Sequence, residues 1–294
     1  MKLFFRWRKK EATPYLLIAP CVLLIGLIIV YPLIQGVISS FYNVNLMRPV
    51  PKQFIGLDNF IELMKDDMFW TSLQKSVVWT IAILVVTMLI GFITALLLNQ
   101  DFKGRSIFRS LVMIPWLIPA AIGSIVWKWI YSEQYGLLNS ILRQLHLIDG
   151  NCAWLAEPDM AFWAVTAVAI WKGIPFATIV LLAGLQAIPM DLYEAAEVDG
   201  ASWFRILLDI TIPQIKGIAL IVAILTSIWN FNQFEIIQVI TRGGPGQATT
   251  TMPIYTYKLF LGVFDISYAS AMATLMLLLT MFLAYFYVKK LIME

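Results

Sequence analysis

Charged residues are scarce in this chain of 294 residues: Asp, Glu, Lys and Arg together make up 13% of it, while 60% of its residues are hydrophobic. A soluble domain carries about 25% charged residues, which keep its surface hydrated. The deficit excludes a soluble globular protein and predicts an integral membrane protein whose surroundings are a lipid bilayer. The net charge of +3 is too small to indicate nucleic-acid binding.

Residues suited to metal or phosphate chemistry are also few. The chain has one histidine, His146, and two cysteines, Cys21 and Cys152, and none of them has a partner at metal-ligand spacing. Because Cys21 lies in an apolar run and Cys152 in a polar loop, no disulfide is expected between them. The phosphate-binding pattern G-x-x-x-x-G-K-[ST] is missing. We therefore expect no metal, no cofactor and no enzymatic activity of the chain's own.

Long apolar runs dominate what is present. A membrane-spanning helix needs about 20 apolar residues, and backbone groups in lipid must hydrogen-bond within their own segment. Six runs meet this length, and they predict an all-α integral membrane protein with six transmembrane helices in a single transmembrane domain, residues 1–294. The predicted spans are approximately 14–38, 74–98, 108–131, 160–184, 215–240 and 268–288.

Basic residues cluster at alternate ends of the predicted spans. Five lie in the first ten residues, three in 99–109, two in 185–216 and two at Lys289 and Lys290. Because Lys and Arg are enriched in cytoplasmic loops, both termini are predicted to be inside (N-in/C-in) in a multi-pass membrane protein. The first apolar run is too long for a signal peptide and no cleavage site follows it, so an uncleaved span is predicted.

A polar island, residues 189–213, interrupts the apolar sequence between the fourth and fifth predicted spans. Glu194, Glu197 and Asp199 fall within six residues of one another there. Charged side chains are costly in lipid, so the island is predicted to face water, and the predicted topology makes that side cytoplasmic. From the residues alone, an interfacial helix that only connects two spans is as good an interpretation as a docking element for a partner.

Proline, glycine and serine divide the island into two predicted helices. Pro189 suits the first turn of a helix, where no N–H donor is needed, and Gly200 can end that helix in a left-handed conformation. Ser202 can cap a second short helix over about 203–210, which Pro213 stops before the next span. The prediction is a helix-turn-helix with a glycine elbow.

The island also has a characteristic spacing. Glu194-Ala195-Ala196 is followed after three residues by Gly200, after nine more by Ile210, and after one more by Ile212-Pro213. This spacing resembles the cytoplasmic signature of permease subunits of bacterial binding-protein-dependent ABC importers, with Ile212 where that signature has Leu. The run Asp199-Gly200-Ala201 is similar to the form found in the carbohydrate-uptake, maltose-type branch.

Other segments extend the resemblance from about residue 14 to residue 288. The matching segments are Gly56-Leu57-Asp58-Asn59-Phe60, Trp171-Lys172-Gly173-Ile174-Pro175-Phe176, Leu182-Ala183-Gly184-Leu185-Gln186, Gly243-Gly244-Pro245, Ala248-Thr249-Thr250-Thr251 and Tyr255. The resemblance implies a permease subunit of an ATP-driven importer, which forms the pathway for a sugar or oligosaccharide together with a second permease subunit. It further implies two ATP-binding subunits on the cytoplasmic side and an extracytoplasmic solute-binding protein outside.

The resemblance also implies roles for individual residues. In the island, Glu194 would supply the main polar contact to the ATPase, the small alanines would allow close approach, and the glycine would form the turn. The coupling residues are Glu194, Ala195, Ala196, Asp199, Gly200, Ile210 and Pro213. The substrate-pathway residues are Gly173, Phe176, Thr226, Trp229, Asn230 and Gln233, and the residues that dock the binding protein are Gly243, Gly244 and Pro245.

Polar residues in the fifth predicted span suit a sugar pathway. Thr226, Asn230 and Gln233 follow helical spacing, so they are predicted to share one face. Amides donate to and accept from sugar hydroxyls, and Trp229 can stack on the C–H face of a sugar ring. The alternative is that these groups only bond neighbouring helices. Lys172 is equally open: its side chain either reaches toward the membrane interface or faces an acidic sugar.

Three further alternatives stay open at this stage. The solute of the importer could be a non-sugar such as glycerol-phosphate. A secondary transporter working without ATP would need a coupling-ion site and repeat symmetry, and neither is visible in the sequence. The segment 243–251 could be a flexible connector rather than a docking loop.

Overall fold

A computed structural model describes residues 2–45, 47 and 51–293, with side chains described between residues 14 and 289 of these ranges. The side chains of the basic N-terminal tail and of Lys290, used above to predict topology, lie outside the described residues. The helices are α1 (Lys2–Ile25), α2 (Tyr31–Ser39), α3 (Asp58–Lys65), α4 (Asp67–Asn99), α5 (Arg105–Leu117), α6 (Ala120–Ile130), α7 (Leu137–Gln144), α8 (Pro158–Gln186), α9 (Met190–Val198), α10 (Trp203–Ile206), α11 (Ile212–Phe231), α12 (Glu235–Ile240), α13 (Met252–Tyr257) and α14 (Ile266–Met293).

The helices account for the predicted membrane spans. Five helical segments are long and apolar enough to cross a membrane, and a bent helix pair makes a sixth if its two arms are one span. The five are Pro14–Ser39, Asp67–Asn99, Pro158–Gln186, Trp203–Ile240 and Ile266–Lys289. The predicted helical membrane protein is therefore confirmed, while the count of six spans and the orientation of the termini stay predictions.

The third predicted span, 108–131, is wrong as a single helix. Its two arms, α5 and α6, meet at an angle of 94°. Between them Ile118 is extended (φ −70°, ψ 127°), as is Pro119 (φ −52°, ψ 137°). A proline disfavours the helical conformation of the residue before it and supplies no N–H of its own, so the Ile118-Pro119 step breaks the helix.

The fifth predicted span, 215–240, begins too late and is interrupted before its end. A helical path starts earlier, at Trp203, and runs through a π-helical turn, Leu207–Thr211, directly into α11. Pro213 therefore does not stop the helix: it is the second residue of α11 and directly follows the π-helical turn. At the other end α11 finishes at Phe231, and three residues separate it from α12.

The described residues divide into two compact units, Met1–Asp66 with Thr256–Leu277 and Asp67–Tyr255 with Leu278–Glu294. The first unit holds a two-stranded antiparallel hairpin, β1 (Tyr42–Asn43) with β2 (Gln53–Phe54). Buried Asn59 ties that hairpin to α2, because its amide donates to the carbonyl oxygens of Ser40 (2.8 Å) and Tyr42 (3.0 Å). The prediction of one transmembrane domain over 1–294 stays a prediction.

The core of the second unit is the contact between α4 and α8. A Cβ atom added to Gly91 of α4 would lie 2.7 Å from the Cβ of Ala177 and 3.3 Å from the backbone nitrogen of Thr178. The two helices also approach closely at Gly173 of α8, where an added Cβ would lie 3.3 Å from the side chain of Thr87 of α4. Small residues allow helix backbones to approach closely inside a membrane, where apolar burial alone gives little drive for association.

The segment between α6 and α8 is organised by one buried amide, Asn139 of α7, which is 1% exposed. Its Nδ2 donates to the carbonyl oxygen of Cys152 (3.0 Å), and its Oδ1 accepts from the indole Nε1 of Trp154 (2.8 Å) and the backbone N–H of Cys152 (3.2 Å). A satisfied buried amide of this kind fixes the conformation of the loop around it.

Candidate coupling elbow and transport pathway

The polar island forms the predicted helix-turn-helix. Helix α9 ends in a Schellman motif. The N–H of Ala201 donates to the carbonyl of Ala196 (2.9 Å), and the N–H of Gly200 donates to the carbonyl of Glu197 (3.0 Å). Gly200 has φ +74°, a left-handed conformation that glycine adopts without strain. The predicted glycine elbow is therefore confirmed as a local structure.

Two details of the predicted capping are wrong. Pro189 precedes α9 as its N-cap, with φ −58° and ψ 133°, and is not in the first turn. Ser202 occupies the N-cap position of α10, but its side chain makes no capping hydrogen bond. Helix α10 continues directly into the π-helical turn. The hydroxyl of Thr211 in that turn lies 3.3 Å from the hydroxyl of Tyr193 on α9. Tyr193 and Thr211 thus clasp the two arms together, a contact that the sequence spacing did not suggest.

The elbow presents acidic and apolar side chains together. Glu194, Ala195 and Asp199 are exposed, and so are the large side chains of Val198 (88%) and Trp203 (67%). Exposed apolar groups beside charges are typical of a surface that binds another protein.

Two other predicted coupling residues are less available to a partner. Ala196 is buried at 9% exposure, so of the two alanines only Ala195 is presented at the surface. Ile210 is half-buried in the π-helical turn.

Two of the predicted pathway residues are aromatic, and their rings are in contact. The rings of Phe176 on α8 and Trp229 on α11 have centroids 4.8 Å apart and planes 63° from parallel, while 49% of Trp229 stays exposed. Such a pair provides an apolar aromatic surface of the kind that suits the C–H face of a sugar ring. Gly173, by contrast, packs on Thr87 of α4.

The polar residues of α11 are arranged differently from the prediction. The side chain of Asn230 donates from Nδ2 to the backbone carbonyl of Thr226 (2.8 Å). The backbone carbonyl of Asn230 accepts from the indole Nε1 of Trp79 (3.1 Å). Thr226 is buried at 4% exposure. Because α11 ends at Phe231, the predicted common helical face is wrong for Gln233, which lies in the break before α12.

The loop predicted to dock the binding protein is tightly hydrogen-bonded. The hydroxyl of Thr250 donates to the carbonyl of Gly243 and that of Thr249 to the carbonyl of Gly244, each at 2.9 Å. Lys75 of α4 donates to the carbonyl of Gln247 (2.6 Å). These bonds give the loop a defined conformation, and the choice between a docking loop and a connector over 243–251 stays open. The docking role of Gly243, Gly244 and Pro245 stays a prediction.

A family model described as "Binding-protein-dependent transport system inner membrane component" matches residues 87–292. The chain belongs to this family. A member of it is the membrane component of a transport system and not itself a catalytic enzyme. The helical segments described above agree with a multi-pass protein of the inner membrane.

Relatives of this family member cover nearly its whole length. The trehalose/maltose transport system permease protein MalF of Thermococcus litoralis is 37% identical over 276 residues, which is 92% of this chain and 91% of the relative. The sulfoquinovosyl glycerol transport system permease protein SmoG of Agrobacterium fabrum is 35% identical over 266 residues, 90% of this chain and 86% of the relative.

A solved structure has the same fold. It is the crystal structure of a bacterial alginate ABC transporter in complex with an alginate pentasaccharide-bound periplasmic protein, and one of its chains superposes with a TM-score of 0.82. That chain is 22% identical, with 96% of this permease-family chain and 95% of the other covered.

Proposed function

We propose that this chain is the transmembrane permease subunit of an ATP-driven importer for a sugar or oligosaccharide. It forms the pathway together with a second permease subunit. Two ATP-binding subunits dock on the cytoplasmic side, and an extracytoplasmic binding protein delivers the solute. The observation that carries the sugar assignment is the similarity to the trehalose/maltose permease over 92% of the chain.

The elbow between α9 and α10 supports the coupling part of the proposal. Its exposed Glu194 and Ala195 lie on α9, next to a turn that Gly200 fixes at φ +74°. Closure of the ATP-binding subunits would displace α9 as a rigid body, because the Tyr193–Thr211 contact ties it to the following helix. Hydrolysis belongs to the partner subunits, since this chain has no phosphate-binding loop.

The aromatic pair of Phe176 and Trp229 supports the sugar part of the proposal. Trp229 is 49% exposed and would stack on a sugar, and Asn230 beside it carries an amide. Amides match the paired donor and acceptor character of sugar hydroxyls.

Reconstitution tests the proposed function directly. The chain is purified with its partner permease, the ATP-binding subunits and the binding protein, and uptake of sugars is measured in proteoliposomes. The binding protein is first screened by thermal melting, because a ligand at one hundred times its Kd stabilises the native state by about 2.7 kcal/mol. We expect uptake of the stabilising sugar to require ATP. Uptake driven by an ion gradient without ATP would instead establish a secondary transporter.

Asn230→Leu is expected to lower sugar uptake about five- to tenfold, the cost of about one lost hydrogen bond of ~1–1.5 kcal/mol to the solute. Assembly with the ATP-binding subunits should be unchanged. Asn232→Leu is the control, since Asn232 is exposed and donates to the carbonyl of Ile228 (2.9 Å) as Asn230 donates to that of Thr226 (2.8 Å). It differs in a further, longer bond from its amide to the hydroxyl of Thr280 (3.4 Å). Equal uptake kinetics in both variants would show that Asn230 only bonds its own helix.

A further inference from the structure

The break between α5 and α6 leaves backbone carbonyl groups without helical partners. In a continuous helix the carbonyl of Pro115 would accept from the N–H of residue 119, but that residue is a proline and has no N–H. The carbonyl of Ile118 lies in the extended step itself, where α5 has ended. Such groups are costly inside a bilayer unless another part of the protein bonds them.

Lys172 of α8 supplies the missing donor. Its Nζ lies 2.6 Å from the carbonyl oxygen of Ile118 and 3.4 Å from that of Pro115. This arrangement adds a third role to the two considered from the sequence, in which the side chain reaches toward the membrane interface or faces an acidic sugar.

The residue before Lys172 holds the other arm of the break. The ring of Trp171 packs edge-on to that of Trp127 on α6, with centroids 5.5 Å apart. A Cβ added to Gly123 of α6 would lie 3.5 Å from the Trp171 ring, so the two surfaces are in direct contact. Two consecutive residues of α8 therefore bind both arms of the bent pair.

We propose that Lys172 is a positioning residue that fastens the bent pair α5–α6 to α8, so that these elements move together during transport. The part of this proposal that concerns transport rests on the proposed function, whereas the part that concerns the bend does not. Lys172 stands one helical turn before Phe176 of the aromatic pair, and α8 ends at Gln186, close before α9. Helix α8 would therefore transmit a displacement of the elbow both to the α5–α6 bend and to Phe176.

A thiol reporter at the bend tests the fastening without any transport. In a Cys21→Ser, Cys152→Ser background, Ile118→Cys is labelled with a maleimide in membranes. Adding Lys172→Met is expected to raise the labelling rate on the order of tenfold, which corresponds to loss of one hydrogen bond from a charged group. Lys172→Arg should retain the slow rate, because a guanidinium can donate to both carbonyls. Lys128→Met, at an exposed lysine of α6, is the matched control and should have no effect.

Uptake kinetics test the consequence for transport. Lys172→Met is expected to lower kcat about tenfold with KM changed less than about twofold, and Lys172→Arg to restore kcat. Unchanged labelling together with unchanged kcat would overturn the proposal. Unchanged labelling with a raised KM for an acidic sugar would also overturn it, and would assign Lys172 to the solute.

Two further outcomes are separable. If Lys172→Met does not accumulate in the membrane, Lys172→Gln replaces it. The Gln side chain is uncharged and one atom shorter, so it does not reach both carbonyls, and labelling faster than in Lys172→Arg is still expected. Equal rates for Gln and Arg overturn the fastening. If the unmodified complex shows no ATP-driven uptake, the proposed function fails, while the labelling comparison still decides whether Lys172 holds the bend.

Discussion

Glu194→Lys is expected to give a folded, membrane-inserted chain that no longer couples ATP to uptake. The side chain is exposed on α9, so its replacement leaves the buried contact of Ala196 and the clasp between Tyr193 and Thr211 intact. In a groove of the ATP-binding subunit, however, the reversed charge would lose a polar contact and leave its partner group unpaired. Loss of one member of such an interfacial pair costs about 2–5 kcal/mol, which corresponds to roughly 30- to 4,000-fold in affinity.

Co-purification of the ATP-binding subunit and sugar uptake are measured together for this variant. Glu197→Lys makes the same charge change on the same helix, also at an exposed position, but at a residue outside the coupling pattern. We expect it to retain most of the uptake that Glu194→Lys loses. Normal uptake by Glu194→Lys would exclude a coupling role for this residue. Equal loss in both variants would show that the general charge of α9 matters, and not the contact at Glu194.

Gly91→Val is expected to have the largest effect on stability. The added Cβ would lie 2.7 Å from the Cβ of Ala177 and 3.3 Å from the backbone nitrogen of Thr178, and neither atom is at the end of a flexible side chain. Helices α4 and α8 would have to separate along their main contact. Overpacking of this kind costs about 1–3 kcal/mol, and the rigid neighbours favour the upper part of that range.

The measurement for Gly91→Val is the melting temperature of the detergent-solubilised protein, followed by its intrinsic fluorescence or its aggregation. Gly217→Val in α11 is the matched control, since an added Cβ there meets nothing within 4 Å. Both variants introduce the same β-branched residue into a helix, so the difference between them isolates the clash. A melting temperature for Gly91→Val equal to that of Gly217→Val would mean that α4 and α8 are less closely packed than described.

Features set by local chemistry could be predicted from the sequence. The apolar runs located the membrane helices, because length and hydropathy are the properties that lipid selects. The glycine at 200 predicted the end of α9 correctly, since only a residue without a Cβ adopts φ +74° at no cost. The family spacing of the island led to the same transport family that the comparison found.

Features set by tertiary contacts could not be predicted in this way. The Ile118-Pro119 break is visible as a proline in the sequence, but a proline inside a membrane helix can equally well be tolerated, as Pro175 is in α8. The roles of Lys172 and Asn139 depend on carbonyl groups 54 and 13 residues away. Periodicity carries no information about such pairs, and for the same reason it placed Gln233 on a helix that had already ended.

The π-helical turn at Leu207–Thr211 has a mechanical consequence. Because it carries the helix past Pro213 without interruption, Trp203 and Phe231 are the two ends of one continuous helical path about 43 Å long at a rise of ~1.5 Å per residue. One end begins at the glycine elbow, and the other carries Trp229. Over that length a tilt of about 5° corresponds to a displacement of about 4 Å at the far end. The extra residue of the π-helical turn thus links the elbow, which is proposed to contact the ATP-binding subunit, to Trp229, which is proposed to contact the sugar, through one helix.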